Sequence, residues 1–362
     1  MNSWIKGKLS PIYLFWALII LLAGLLITEQ TKFTAKTPYY DEQIQAAEIM
    51  KNSLKAIKEE RLKKEIPLDV GLDPNQTGII GKEYTQLTTT LGNLEAKRTS
   101  TNPAFAALLV KYFKDVNLKK GDIIAIGASG SFPTLIVATL SAIRALELEP
   151  LLIYSIGSSE YGANIPEFTF VEMLNSLNKK KILPYSLLAV SMGGYLDQAE
   201  GMFYSDSHEI IKKIAKESGV LFINTEDIEE NIKQRIQLYR KTAGEKPIKI
   251  FVNIGGATPN YGNTPASITY PNGLVLNGPK APDHPERGLI FEFQDLGVPI
   301  IHLLNIRDLA VKNGLPIDPI PLPEIGEGGA YYQVVYHKFL IILIIGSEFL
   351  YLLWILKRKT KN

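Results

Sequence analysis

The chain has 362 residues, 46% of them apolar, with 39 basic against 37 acidic side chains, four histidines and no cysteine. So even a charge balance, +2 overall, argues against a nucleic-acid surface, and the length suffices for one large core or two small ones. The lack of cysteine rules out a lipoprotein anchor and is compatible with an oxidising compartment.

Residues 1–11 carry Lys6 and Lys8 and are expected to form a cytoplasmic N-terminus. Ile12 to Ile27 is uncharged and opens behind Ser10 and Pro11, which suit a helix start, so a transmembrane helix is expected over 12–28. The uncharged run spans roughly 24 Å at ~1.5 Å per residue, a little under a ~30 Å hydrocarbon core. No small-x-small cleavage site follows Ile27, which favours an anchor over a cleaved signal peptide.

Residues 29–120 are expected to hold a stalk helix and a polar N-terminal segment. From Asp41 to Glu65, Ile44, Ala47, Leu54, Ile57 and Leu62 recur at near-helical spacing before Pro67, and the charges between them read as a solvated face. After a loop at Gly71 to Gly81 comes the polar string Thr88 to Ser100. Its Lys97 and Arg98 could hold carboxylates, arginine in a two-pronged geometry, or could be ordinary surface charges beside Glu95.

Residues 121–338 are expected to form an extracytoplasmic α/β domain. Apolar runs of strand length occur at Asp122 to Ile126, Leu151 to Ile156, Leu187 to Val190, Val220 to Ile223, Ile248 to Ile254 and Val298 to Leu304. Helical patterns over 134–146, 167–180, 206–218, 226–243 and 306–312 lie between or after them. This alternation predicts an α/β fold, a mostly parallel sheet with helices on both faces, flanked by two transmembrane helices. Thr258 to Arg287, with six prolines, reads as a long loop.

The second apolar run, Phe339 to Leu356, predicts a transmembrane helix over 339–356, followed by a cytoplasmic basic tail, 357–362, with Lys357, Arg358, Lys359 and Lys361. Basic flanks stay inside, so the expected location is the cell membrane, two-pass, with both termini cytoplasmic and the main domain outside. Glu348 interrupts this helix at a cost of ~2.5–3.5 kcal/mol on insertion scales. It is either a protonated or locally hydrated carboxyl or the contact point for a polar helix of a partner membrane protein.

Four predicted strands end in loops of small polar residues. These supply Gly127, Ser129, Gly130 and Ser131; Ser158, Ser159 and Asn164; Gly193 and Gly194; and Gly256, Asn260 and Asn263. Ligands of open α/β sheets bind beyond the carboxyl ends of the strands, so the loops could converge on one crevice. Glycine permits close backbone approach and helix N-termini favour anions, which points to a carboxylate or phosphate ligand. For any one loop, the needs of a tight turn account for the same residues.

Gly127-x-Ser129-x-Ser131 also approximates a nucleophile elbow, with Ser131 in place of the final glycine. Ser129 would then be the catalytic nucleophile and would need a histidine base, and spacing selects none of His208, His284, His302 and His337. The four scattered histidines make no metal motif, and the sequence names no cofactor.

The strings TTTLGNLEAKRTSTNPAFAALLV (88–110), GASGSFPTLIVATLSAIRALELEP (127–150), IGSSEYGANIPEFTFVEML (156–174) and the Gly255 to Asn263 loop resemble the poly-γ-glutamate system protein family. These are membrane-associated proteins linked to the machinery that makes and exports this capsule polymer. The resemblance implies a lipid bilayer, other membrane proteins of that machinery as partners, and a polyanionic polymer as ligand. It implies no catalytic residues. An accessory protein that binds nascent polymer or scaffolds the machinery is the expectation, the alternative being a serine-dependent hydrolase or transferase acting on poly-γ-glutamate through Ser129.

Overall fold

The computed structural model describes residues 11–359, so the expected cytoplasmic segment 1–11, apart from Pro11, and Lys361 of the basic tail lie outside the described residues. The chain divides into two compact units, one built from its two ends and one spanning Pro38–Tyr331.

In the terminal unit, α1 (Pro11–Thr31) leads into β1 (Phe33–Lys36), and β9 (Tyr332–Val335) leads into α13 (Lys338–Lys359). Strands β1 and β9 pair antiparallel, Phe33 opposite Val335 and Lys36 opposite Tyr332. The helices are antiparallel as well, since Gly24 lies against Ile344 and the Tyr13 ring is 6.4 Å from that of Trp354. A Cβ at Gly24 would come within 2.5 Å of Ile344 Cγ2, so only glycine allows this approach, as small residues do between apolar helices.

Both helices are long and apolar enough to cross a membrane by length and composition. Helix α1 continues past the uncharged run to Thr31, so that its 21 residues span ~31 Å, with a polar last turn that carries Glu29, ion-paired with Lys32. Thr28 and Thr31 donate their hydroxyls to the carbonyls of Gly24 and Ile27 at 2.7 and 2.8 Å, which satisfies both hydroxyls within the helix.

Glu348 is 8% exposed, and its Oε2 has no hydrogen-bond partner among the described residues. It shares a face of α13 with Ile344, which meets Gly24, and Tyr351, whose hydroxyl donates to the Tyr13 carbonyl. That spacing turns Glu348 toward α1. Within this chain the carboxyl therefore lies in the seam of its own helix pair.

The globular unit opens with α2 (Tyr40–Lys63), expected as a stalk. It is a core helix instead. Ala46, Ala47, Met50, Leu54 and Ile57 are buried, and α2 packs on α4 (Ala104–Asp115) and α5 (Pro133–Ala145), which follow the short α3 (Leu94–Thr99). Its lysines and glutamates occupy the opposite face of one amphipathic helix. The boundary expected at residue 120 thus falls inside a single unit, and the expected end at 338 runs past β9 into the other.

Strands β2 (Ile123–Ser129), β3 (Glu149–Ser155), β4 (Ala189–Ser191), β5 (Leu221–Ile223), β6 (Ile248–Ile254) and β8 (Ile300–Leu303) are parallel, in one seven-stranded sheet of order β5-β4-β3-β2-β6-β8-β7. The edge strand β7 (Gly273–Val275) runs antiparallel to β8. It lies inside the expected loop 258–287, where three residues among prolines leave no strand pattern in the sequence. Pro259 and Pro265 open the short α9 (Thr258–Tyr261) and α10 (Pro265–Ile268), using proline's fixed φ at a helix start.

Helices cover both faces. Ile124, Ile126 and Ala128 of β2 pack with α2, α4, α5, α6 (Phe170–Lys179) and α7 (Ser207–Glu217), while Ala125 packs in a second core with α8 (Ile228–Ala243) and α11 (Leu289–Asp295). Burial on both sides is why the strands read as continuous apolar runs. From β2 the chain steps outward to β3, β4 and β5, then returns to lay β6 on the other side of β2, before β8 and α12 (Ile306–Lys312). Winding reverses between β2 and β6, and such a switch point opens a crevice beyond the carboxyl ends of the strands.

Candidate functional site

The loops after β2, β3, β4 and β6 reach one cleft of about 570 Å³, completed by Thr89 to Asn93 and Lys97. Of the residues singled out in the sequence, Lys97, Ser129, Ser131, Ser159, Gly193, Gly194 and Gly256 line it. Phe132, Tyr195 and Glu200 line it too and were not foreseen.

Asn93 caps α3, its side chain accepting from Ala96 N at 2.8 Å, and the helix so started carries Lys97 in its last turn. Lys97 is 2% exposed. Its Nζ donates to Ser159 Oγ at 2.7 Å and to the Ser131 carbonyl, and lies 4.1 Å from the centroid of the Phe132 ring. Burial pushes the ammonium down to about 7, against the pull of the Glu160 carboxylate. Glu160 does not pair with it directly; its Oε2 accepts from Gly92 N at 2.7 Å. Burial without a directly paired carboxylate thus favours the neutral amine.

Ser129 ends β2 with its Oγ buried and bonded to nothing among the described residues. Gly255, at φ +83°, leaves room for that hydroxyl, because a Cβ there would stand 2.4 Å from it. No histidine serves Ser129 as base. His302 Nδ1 is bonded to Asn253 Nδ2 at 2.9 Å, and its ring stacks on Tyr261, with burial driving it down to about 4. His208 is exposed beside Glu209, His284 accepts from Glu286 N, and the His337 ring lies tilted against Phe33, 4.8 Å between centroids. The Ser–His arrangement the elbow would require is not assembled.

The remaining singled-out residues do structural work away from the cleft. Gly127 and Asn260 pack on each other, a Cβ on Gly127 falling 2.4 Å from Asn260 Oδ1, and Gly130 is pressed against the Ile156 carbonyl. Ser158 Oγ donates to the Ser159 carbonyl at 2.8 Å, and Asn164 fixes the 82–88 segment through Lys82 N, Lys82 O and Thr88 Oγ1. Asn263 donates to Glu286 at 2.8 Å. Arg98 grips a carboxylate in the expected two-pronged way, but that carboxylate is the chain's own Asp318.

Sequence reasoning missed Arg235 and Asp197. Arg235, wholly buried on α8, donates to Asn231, Asn260, Ser191 and Asp197 at 2.7, 3.2, 2.6 and 2.9 Å. Asp197 Oδ1 in turn accepts from Gly193 N at 2.8 Å and Ser191 Oγ at 2.9 Å. Gly193, Gly194, Leu196, Asp197 and Ala199 all have positive φ, a costly conformation for the side chains other than glycine. The buried pair thus holds a strained loop that brings Gly193, Gly194 and Tyr195 to the cleft. One signal was available: Arg235 shares the apolar stripe of Ile228, Ile232 and Tyr239.

Fold and cleft together define a doubly wound α/β protein with a ligand-sized site at its switch point. No family model, curated protein or solved structure matches the chain. Among the described residues no group of three or more His, Asp or Glu side chains could hold a metal ion.

Proposed function

We propose that the chain is a membrane-anchored accessory protein of a poly-γ-glutamate synthesis and export system, and that its cleft receives a glutamyl carboxylate of the polymer. The supporting observation is Lys97, a buried cation at the cleft wall whose bonded partners are a hydroxyl and a carbonyl. An arriving carboxylate would restore its charge and gain a charge-assisted hydrogen bond.

One cation does not hold a polyanion, and Glu200 lines the same cleft, so it suits a single unit of polymer. Separate grooves along α2 and α6, which share no lining residue with the cleft, carry Lys55, Lys63, Lys64, Lys179, Lys180 and Lys181 against Glu59, Glu60 and Glu172, an excess that would suit another stretch of a long polyanion. The antiparallel pairing of α1 with α13 supports the topology proposed from the sequence. It places Tyr13, Tyr351 and Trp354 together near Lys357, a combination that suits a membrane interface on the cytoplasmic side. The globular unit would then meet polymer on the outside, with the helix pair available to membrane proteins of the synthesis and export machinery.

Full-length protein in detergent is expected to retain poly-γ-glutamate at low salt, and Lys97→Met to weaken retention about tenfold, the ~1.4 kcal/mol of one charge-assisted contact. Equal retention by both proteins would remove the cleft from polymer binding. Absence of retention by the wild type would overturn the binding proposal altogether.

A further inference from the structure

Ser159 sits on the loop after β3 and its main chain is pinned on two sides. Its N–H donates to Ser131 Oγ at 3.0 Å, and its carbonyl accepts from Ser158 Oγ at 2.8 Å. Its own hydroxyl is bonded to Lys97 Nζ, which the Ser131 carbonyl and the Phe132 ring hold in place. Ser159 is 8% exposed and lines the cleft, and the bond to Lys97 orients its hydroxyl. A hydroxyl within hydrogen-bond reach of an amine that is itself held in position is the arrangement an activated serine requires.

We propose that Ser159 is a catalytic nucleophile and Lys97 its general base, for acyl transfer or hydrolysis at an amide carbonyl. The choice of a γ-glutamyl amide as substrate rests on the function proposed above, whereas the serine–lysine chemistry does not; a carboxylate on Lys97 would keep it charged, so the reacting unit presents its amide carbonyl to Ser159 and leaves Lys97 neutral. Neutral Lys97 takes the hydroxyl proton as Ser159 Oγ bonds to the carbonyl carbon. The adduct then collapses with breakage of the carbon–nitrogen bond, and the departing amine takes the proton from Lys97, leaving an acyl ester on Ser159. Water, or the amine of a second chain, attacks that ester and gives its proton to Lys97. The ester carbon–oxygen bond breaks and Ser159 recovers the proton.

The neutral amine is accessible because burial depresses the ammonium, while Glu160, from the same loop as Ser159, and the Phe132 face favour its charged form. Glu200 is the carboxylate that lines the cleft itself. Ser129 has no comparable base among the described residues, which moves the nucleophile from the elbow position to Ser159.

The chain contains no cysteine, so Ser159→Cys places a single thiol in the full-length protein. Beside Lys97 that thiol is expected to titrate below about pH 7.5 instead of ~8.5, giving about tenfold faster alkylation by iodoacetamide at pH 7, and to lose this advantage when combined with Lys97→Met. Wild type treated with a fluorophosphonate is expected to gain one phosphonyl group on the peptide holding Ser159, in Ser129→Ala as well but not in Ser159→Ala. A thiol at that position that titrates at ~8.5 or above, or that stays unreactive in the folded protein, overturns the proposal, as does a label on Ser129 instead. Polymer retention measured on the same preparations separates the two claims. Retention without labelling removes the catalysis and leaves binding, whereas labelling without retention leaves the serine–lysine centre and removes the polymer as its substrate.

Discussion

Arg235 and Lys97 are both buried cations at the carboxyl end of one sheet, and their surroundings differ sharply. The Arg235 guanidinium meets Asp197, two asparagine side chains and the strand-end hydroxyls of Ser155 and Ser191, so nearly every donor has an acceptor and the charge has a counter-charge. Lys97 meets one hydroxyl, one carbonyl and a ring face. Compensated charge keeps its protonation state and fixes geometry; uncompensated charge relieves its desolvation by giving up a proton. The same burial therefore makes one cation a structural tie and the other a reactive group.

The largest effect is expected where the compensated pair is broken. Arg235→Met would strand the Asp197 carboxylate and release the strained 193–199 loop, at a cost of ~3–5 kcal/mol in urea unfolding. A loss under ~1 kcal/mol would erase the distinction between the two cations.

Lys97→Met should do the reverse. The folded value of about 7 lies below the ordinary 10.5, so between those pH values the unfolded chain binds more protons and wild-type stability rises with pH. The substitution removes that contribution. The variant is expected to exceed wild type in stability at pH 6 by on the order of a few kcal/mol, an advantage that shrinks toward pH 10. Urea midpoints at the two pH values check this, and parallel pH dependences for the two proteins would mean that Lys97 is solvated after all.

Ser129→Ala sharpens the comparison with the smallest change. A buried hydroxyl with no partner contributes little, so stability should stay within ~1 kcal/mol of wild type. A larger loss would reveal a hydrogen bond to Ser129 Oγ.

The sheet was legible because strands buried on both faces write continuous apolar runs; β6 and α12 begin and end where the sequence places them. The position of the crevice followed from the strand-to-loop rule. Which side chains face it did not, because the deciding partners are remote. Arg98 finds Asp318, Gly127 finds Asn260 and Asp197 finds Arg235, pairs that leave no mark in any short window of sequence. Helix α2 was legible as a helix but not as core, since its alanines bury as well as larger residues while its charges dominate the composition. Strands β1 and β9 escaped notice because each has only four residues and they lie at opposite ends of the chain.

That terminal ladder bears on the order of events during synthesis. The first helix and strand are made early, and their partners only after about 300 further residues, a loop whose closure would cost ~5 kcal/mol of chain entropy. The globular unit closes it in advance. Gln43 Nε2 reaches the Ala330 carbonyl at 2.6 Å, and the Tyr40 ring lies 6.2 Å from that of Tyr331. Once that unit has folded, the polypeptide enters and leaves it at neighbouring points, and most of the entropy that would keep the two ends apart has already been given up.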